Sequence, residues 1–261
     1  MHYLRLLWLY IRLGAMNEMQ YRANFFVQMV DTIVKLGAAL AALQIVFSHT
    51  DTLGGWNVVQ LRALLGVFFL VGGLINMIIE PSMMRLMEDV RKGTLDFTLL
   101  KPEDAQVLVS AQQVEIWKLA EVLMGCGILI VSLCQLAEPV SARQVALFGV
   151  TLLSGIAIVY SFWLMLATSV FWFIKITNIL VIFESMYQAG RWPLGLYPSW
   201  LRTALTFAVP VAAAVTIPAE ALLGRLNVET ALIAMASAAA MLLLSRWLWT
   251  RGVSRYSGAS S

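Results

Sequence analysis

The sequence predicts an all-α integral membrane protein with six transmembrane helices, an N-terminal amphipathic helix in the membrane interface, and a short cytoplasmic helix between the second and third spans. Three observations support this fold class. Of the 261 residues, 60% are hydrophobic and only 13% are charged, whereas a soluble domain carries about a quarter charged residues. Apolar runs of bilayer length recur along the chain, and Lys and Arg are concentrated in alternate connections between them.

The apolar runs set the number of spans, because a helix needs about 20 apolar residues to cross a bilayer. The predicted spans cover residues 23–47, 58–80, 118–136, 144–171, 201–219 and 230–249. The fifth contains Pro210 and Pro218, so we expect it to be kinked. The segment 174–189 is also apolar, but Lys175 and Glu184 interrupt it. An interfacial helix, a re-entrant helix and an additional span all remain open for this segment.

The distribution of Lys and Arg sets the expected orientation, because these residues concentrate in cytoplasmic loops. With a cytoplasmic N-terminus, the outer loops contain only Arg143 and Arg225, with Arg62 at an outer edge, and most of the 18 Lys and Arg residues fall inside. Both termini and the segment 81–117 are therefore predicted to be cytoplasmic. The net charge of +3 reflects this asymmetry, so we expect membrane lipid around the chain and no nucleic-acid partner.

Residues 1–22 combine scattered arginines with apolar and aromatic residues. Arg5 and Arg12 are seven residues apart and share a helical face, while Trp8 suits the headgroup layer. This pattern predicts an uncleaved amphipathic helix in the cytoplasmic interface. An early start of the first span is the alternative.

Residue sets that would indicate an enzyme are missing from the sequence. The histidines His2 and His49 have no neighbours that suggest a triad or a metal site, and Cys126 and Cys134 have no metal-ligand spacing. No G-x-x-x-x-G-K-[ST] phosphate loop occurs. We therefore expect no catalytic, cofactor or metal site on this chain, and any ATP-driven step would need a separate polypeptide.

Asp31 and Lys35 stand out as charges deep in the first span. Their i,i+4 spacing puts them on one helical face, and a lone charge at a helix centre costs about 2.5–3.5 kcal/mol. Two interpretations remain open: an ion pair facing the bundle, which fixes the orientation of the helix, or a polar contact that lines a pathway.

The stretch EDVRKGTLDFTLLKPEDA, residues 88–105, is the most polar part of the middle of the chain. Gly93 allows a turn, Leu95 and Leu99 are spaced for one helical face, and Pro102 suits the first turn of a following helix. We interpret the stretch as a short amphipathic helix between two turns, with Leu95 and Leu99 inserted into a groove on a soluble partner. A generic cytoplasmic hairpin is the alternative.

GTLDFTLLKP, after a basic dipeptide, resembles the G-T-L-x-x-x-L-x-x-P pattern that follows the second span in ABC-2-type exporter permeases. MQYRANFF at the first span, LGGWNVVQL before the second and RWPLGLYPSWLRTALTFAVPVAAAVTIPAEALL near the end are similar to one bacterial branch of that superfamily. The resemblance extends from about residue 3 to residue 250. Lys101 stands where relatives often carry arginine, a departure that leaves the resemblance intact.

The resemblance implies that the cytoplasmic segment is a coupling helix, which docks onto a nucleotide-binding subunit. The residues to which it gives this role are Arg91, Lys92, Gly93, Thr94, Leu95, Leu99 and Pro102. It also implies a pathway or gate role for the proline-rich block of Pro193, Pro198, Pro210 and Pro218, although prolines that only kink a packed helix are equally compatible with the pattern.

The implied protein is a permease subunit in the bacterial cytoplasmic membrane. Its partners would be an ATP-binding cassette ATPase, which holds ATP and Mg²⁺, and a second permease chain, identical or different. The alternative is an ATP-independent secondary carrier or a membrane anchor. Carriers usually show broken helices in both halves, whereas the prolines here interrupt a predicted span only in the second half. No residue pattern identifies the transported substrate.

The predicted orientation can be tested with single cysteines. A cysteine at Thr52 should react with an impermeant reagent from outside the cell, and one at Thr94 only from inside, because they fall in an outer loop and in the cytoplasmic segment. The opposite labelling pattern would contradict the charge asymmetry on which the orientation depends.

Overall fold

The structure is a computed structural model that describes residues 22–136, 139–172, 183, 185–208 and 210–256. Within these ranges the regular structure is helical, apart from an isolated bridge between Leu53 and Trp56. The amphipathic helix predicted over 1–22 lies outside the described residues except for Arg22, and so does most of the segment 174–189.

The helices lie, in chain order, at α1 Arg22–Phe47, α2 Val58–Leu74, α3 Glu80–Lys92, α4 Asp96–Leu99, α5 Ala105–Ser110, α6 Leu119–Cys134, α7 Ala142–Thr168, α8 Ser199–Thr203, α9 Ile217–Leu222 and α10 Val228–Val253. Among the described residues, five helical stretches are long and apolar enough to cross a membrane: Phe26–Phe47, Val58–Lys92, Ile116–Cys134, Ala142–Phe171 and Val228–Val253. They overlap five of the six predicted spans, as expected for a multi-pass membrane protein.

The central helix is α2, which packs most closely against α6. In the stretch that begins with α2, 67% of the most apolar 18 residues are buried. In α1, only 17% of the most apolar 18 residues are buried. Glycines permit the contact with α6: a Cβ on Gly125 would lie 2.4 Å from the backbone nitrogen of Leu70. A Cβ on Gly66 would lie 2.9 Å from the nitrogen of Leu129. Small residues at such points let helix backbones approach closely inside a membrane.

Prolines account for the irregular turns in these helices. The three π-helical turns, Ile75–Ile79, Ala204–Ala208 and Ala212–Thr216, each end two residues before a proline: Pro81, Pro210 and Pro218. Proline has no N–H and its ring clashes with the carbonyl four residues earlier. The helix therefore widens locally into a π-helical turn before each proline.

At Pro81 the freed carbonyl is satisfied by a distant part of the chain. The carbonyl of Met77 would accept from residue 81 in a regular helix; instead it accepts from the N–H of Glu115 at 2.8 Å. Beside it, the Ser82 hydroxyl donates to the carbonyl of Gln113 at 2.8 Å. The chain that follows α3 therefore returns to the beginning of that helix. These two hydrogen bonds hold it there just before the third span begins.

Residues 199–222 differ from the single kinked span predicted over 201–219. Before this segment, Leu196 lies against Gly54 in the loop between α1 and α2. After it, an Arg225 guanidinium nitrogen donates to the carbonyl of Gly55 and to the Gln60 side chain, both at 2.7 Å. Both ends of the segment therefore lie at the same end of the bundle.

The middle of the segment reaches into the bundle. Val211 packs against Gly190, and a Cβ on Gly155 in α7 would lie 2.7 Å from the Cα of Ala214. The segment is thus a broken helical hairpin, with Pro210 near its tip, that enters and leaves from one end. The interruptions at Pro210 and Pro218 are the physical reason that it does not continue as one crossing. The run over 201–219 is therefore not one of the crossings. The count of six spans stays a prediction, because the segment 174–189, for which an additional span remained open, lies mostly outside the described residues.

The close contact of α2 and α6 yields a matched test. Gly125→Val should destabilise the protein by about 1–3 kcal/mol, because the added side chain overpacks against the backbone of α2. Gly127→Val on the same helix is the control, since a Cβ there meets nothing within 4 Å. Thermal unfolding in detergent measures both, and equal losses would contradict the proposed packing.

Candidate functional site

The insert, residues 93–115, begins with a turn that its first two residues determine. Gly93 ends α3 with φ of 71°, a conformation that other residues rarely adopt. The N–H groups of Thr94 and Leu95 both donate to the carbonyl of Asp89, at 2.9 and 3.3 Å. The Gly-Thr pair therefore reverses the chain at the end of α3.

The carboxylate of Asp89 connects the two arms of the insert. It is buried, accepts from the Thr94 hydroxyl at 2.8 Å and lies 3.2 Å from Nε of Arg85. The Gln112 side chain, on the returning arm, donates to its second oxygen at 3.4 Å. A buried charge that is paired and hydrogen-bonded in this way holds its neighbours in one arrangement.

The exposed face of the short helix α4 differs from the face that the spacing of Leu95 and Leu99 predicted. Leu95 is fully buried in the core of this chain, and Leu99 packs partly against that core. The exposed apolar side chains are Phe97, at 72%, and Leu100, at 82%. The interpretation of Leu95 as a knob for a partner is therefore wrong, because the short helix places this side chain under its own bundle. For the partly buried Leu99, and for the coupling role of the segment as a whole, it stays a prediction.

The exposed part of α4 continues into charged residues. This exposed surface is formed by Phe97, Leu100, Lys101 and Pro102. Arg91 and Lys92 are also exposed at the end of α3, where Lys92 pairs with Glu88. Apolar side chains next to cations give this end of the molecule a mixed surface that no part of the described chain covers.

A second anchor holds the far side of the insert. Two nitrogens of the Arg246 guanidinium, on α10, donate to the Asp104 carboxylate at 2.9 and 2.6 Å. Asp104 also caps α5 through the N–H of Gln106 at 2.9 Å. The hydrogen bond from Arg246, with further help from the backbone, lowers the pKa of Asp104 below its ordinary value despite partial burial.

The α5 helix is further tied to α7. The hydroxyl of Tyr160 lies 2.7 Å from that of Ser110 and accepts from the Gln106 side chain at 3.2 Å. The insert is thus attached to three long helices: α3, α7 and α10. Sequence reasoning missed this anchor; Asp104 before an apolar run is a helix-cap signal, but its partner lies 142 residues away.

The polar pair of the first span is present in the structure. Nζ of Lys35 lies 2.7 Å from the Asp31 carboxylate, and their side chains are 50% and 44% exposed. Lys35 also lines an open cavity of about 590 Å³ between α1, α3 and the start of α6, together with Asn76, Glu80 and Lys118. The pathway role of the pair stays a prediction.

The four prolines of the predicted gate are distributed along the route to the hairpin. Pro193 is buried before it, and Pro198 directly precedes α8. Pro210 lies near the tip and Pro218 in the first turn of α9. They belong to one structural unit, and their gate role stays a prediction.

In a comparison with protein families, a model described as ABC-2 family transporter protein matches residues 33–260. Comparison with curated proteins and with solved structures gave no match. The matched range includes the insert, the hairpin and the part of α1 from residue 33 onward.

The anchor between α10 and the insert can be tested with a double-mutant cycle. Asp104→Asn and Arg246→Gln should each destabilise the protein, with a coupling of about 0.5–1 kcal/mol, since the pair is bidentate but partly exposed. Because the pKa of Asp104 is lowered in the folded state, its contribution is present at neutral pH and is lost as the pH falls through that pKa.

The measurement is the thermal unfolding midpoint of the four proteins at neutral and acid pH. Limited proteolysis should also cut the insert faster in either single variant. Additive effects at neutral pH would show that the two side chains do not stabilise each other.

Proposed function

Because this chain belongs to the ABC-2 family of transporter proteins, we propose that it is the permease subunit of an ABC exporter. In this proposal it forms half of a translocation pathway in the bacterial cytoplasmic membrane, with both termini in the cytoplasm. ATP and Mg²⁺ bind to a separate ATPase subunit, and this chain is neither an enzyme nor a cofactor-binding protein.

The observation that carries the proposal is how the insert is attached to the bundle and which of its side chains are exposed. Its flanks are fixed to the bundle through Asp89 and Asp104, while Phe97 and Leu100 are left exposed beside Lys101. An exposed aromatic and a leucine on a rigid support have the character of an interface anchor. We propose that the surface formed by Phe97, Leu100, Lys101 and Pro102, which we call the docking face, fits a groove on the ATPase.

The same construction suggests how ATP hydrolysis acts on the membrane part. A push on the docking face passes to α3 through the Gly93 turn and Asp89, and to α10 through Asp104 and Arg246. Because these contacts are short and largely buried or bidentate, the insert would move with the helices instead of bending away from them. Export then depends on the relative motion of the long helices.

A second permease chain completes the pathway in this proposal. The α1 helix is only lightly packed in the single chain, and it exposes apolar side chains including Phe26, Val30 and Val34. Asp31 and Lys35 lie on this same helix. A second chain against α1, identical or different, would cover these residues.

The experiment is a pull-down of the cognate ATPase by the permease at matched membrane expression. Phe97→Asp/Leu100→Asp should lower ATPase recovery at least about tenfold and abolish export, because charges replace the apolar anchors. The folded yield should be unchanged, since both side chains point away from the core.

Two controls make the result specific. Phe97→Tyr/Leu100→Met keeps an apolar surface and should retain the ATPase, whereas Leu95→Ala should lower the folded yield by opening a cavity. Normal ATPase recovery and export with Phe97→Asp/Leu100→Asp would contradict the docking proposal. Export that continues without any ATPase would favour a secondary carrier.

A further inference from the structure

The end of α10 and the chain that leaves α7 form an open cleft with basic and aromatic walls. Its volume is about 400 Å³, within the range of roughly 300–1,000 Å³ that small-molecule sites occupy. We call it the α10 cleft; its lining residues are Trp172, Trp247, Leu248, Arg251, Ser254 and Arg255. Among the described residues, no acid lines it.

Close packing of α7 against α10 supports the cleft. A Cβ on Gly252, in the last turn of α10, would lie 2.7 Å from Cγ2 of Thr168, so the missing side chain lets the two helix ends touch. Just after α7, the ring of Phe171 meets that of Trp249 edge to face, with centroids 6.2 Å apart. Trp172 follows directly and is half-buried. One wall of the cleft is therefore held by a packed element.

The two arginines of the cleft are exposed and have no acidic partner within the described part of the chain. The guanidinium carbon of Arg251 lies 4.1 Å from the centre of the Trp247 ring, a cation–π contact that holds the group over the ring and leaves its N–H edges free to donate. Arg255 lies in the turn after α10. By contrast, Arg246 on the same helix is bound to Asp104.

The order of residues on one face of α10 corresponds to the order of groups in a phospholipid. Leu243, Trp247 and Arg251 are spaced by four and share a helical face. Leu243 is 74% exposed and Trp247 is 48% exposed. An exposed leucine suits acyl chains, tryptophan is favoured at the membrane interface, and the planar arginine fork suits phosphate oxygens.

We infer that the α10 cleft binds the headgroup phosphate of an anionic phospholipid. Arg251 and Arg255 donate to the phosphate oxygens, and hydrogen bonds between ionised groups are the strong ones. Trp172 and Trp247 flank the glycerol region, and the acyl chains lie along the face of α10 that carries Leu243. The inference does not depend on the export proposal, since it requires only that the chain crosses a membrane.

Two observations separate this site from the general basic charge at the ends of spans. Arginines are common there because of the positive-inside rule and the helix dipole, but such residues attract anionic lipids only diffusely. Here a second element contributes Trp172, so the cleft has two walls and one defined position for a headgroup. A soluble phosphate compound would gain nothing from the exposed Leu243 and Trp247, and this favours a lipid.

The test counts bound lipids by native mass spectrometry of the purified permease in detergent. The protein is titrated with phosphatidylglycerol or with phosphatidylcholine of the same acyl chains. The first phosphatidylglycerol should bind at least about tenfold more tightly than the first phosphatidylcholine, because the cleft holds two unpaired cations. Glycerol 3-phosphate, which has a phosphate and no acyl chains, should not displace it at equal concentration.

The variants assign the preference to the cleft. Arg251→Gln and Arg255→Gln should each weaken phosphatidylglycerol binding about fivefold, and the double variant about thirtyfold. Trp247→Leu should weaken it as well, because it removes the ring that holds Arg251. The matched controls are Arg143→Gln, in the first turn of α7, and Trp200→Leu. Both side chains are exposed at the opposite end of the bundle, and both variants should bind as the wild type does.

Equal affinity of the wild type for the two lipids, or an equal loss in Arg143→Gln and Arg251→Gln, would overturn the inference and leave only diffuse surface charge. Displacement of phosphatidylglycerol by an equal concentration of glycerol 3-phosphate would assign the cleft to a soluble phosphate compound and would overturn it too. The lipid-free unfolding midpoint of each variant should match that of the wild type, since the arginines are exposed. If the double variant does not fold, the two single variants decide.

Discussion

The missing N–H of proline is the constraint on which much of this structure depends. Inside a membrane no water is available for a freed carbonyl, so another part of the protein must supply a donor. At Pro81 the donor is the backbone of Glu115, and this bond fixes where the chain returns after the insert. At Pro210 and Pro218 the interruptions produce a hairpin instead of a crossing. The missing N–H of proline thus helps to position both the insert and the hairpin.

The insert shows how a short polar segment becomes a rigid one. Asp89 holds its first turn and its returning arm together, and Asp104 holds its second half to α10. Both acids lie at points where a helix begins or ends. The Asp89 carbonyl and the Asp104 carboxylate accept from backbone N–H groups there, and each carboxylate also accepts from a side chain on a later segment. Rigidity comes from a few ionic hydrogen bonds, because the segment has too few apolar residues for a core of its own.

Much of the helix pattern could be predicted from the sequence, because apolar runs and the Gly-Thr turn are local signals. Two features could not. Leu95 and Phe97 are both apolar, and spacing in so short a helix does not tell which one faces the bundle. The run over 201–219 has the length and composition of a span, yet its two ends are held at one end of the bundle by contacts such as that of Arg225 with Gly55. Such pairings join residues far apart in sequence and have no local signal.

The light packing of α1 has a consequence for the life of the protein in the cell. Asp31 and Lys35 are each about half exposed in the single chain, and in the proposed assembly a second chain would cover them. Half-exposed charge in hydrocarbon is unfavourable, so under that proposal the unassembled protomer would be the less stable species. Assembly would then act as its own quality control: chains that find a partner would persist, and chains made in excess would remain open to membrane proteases.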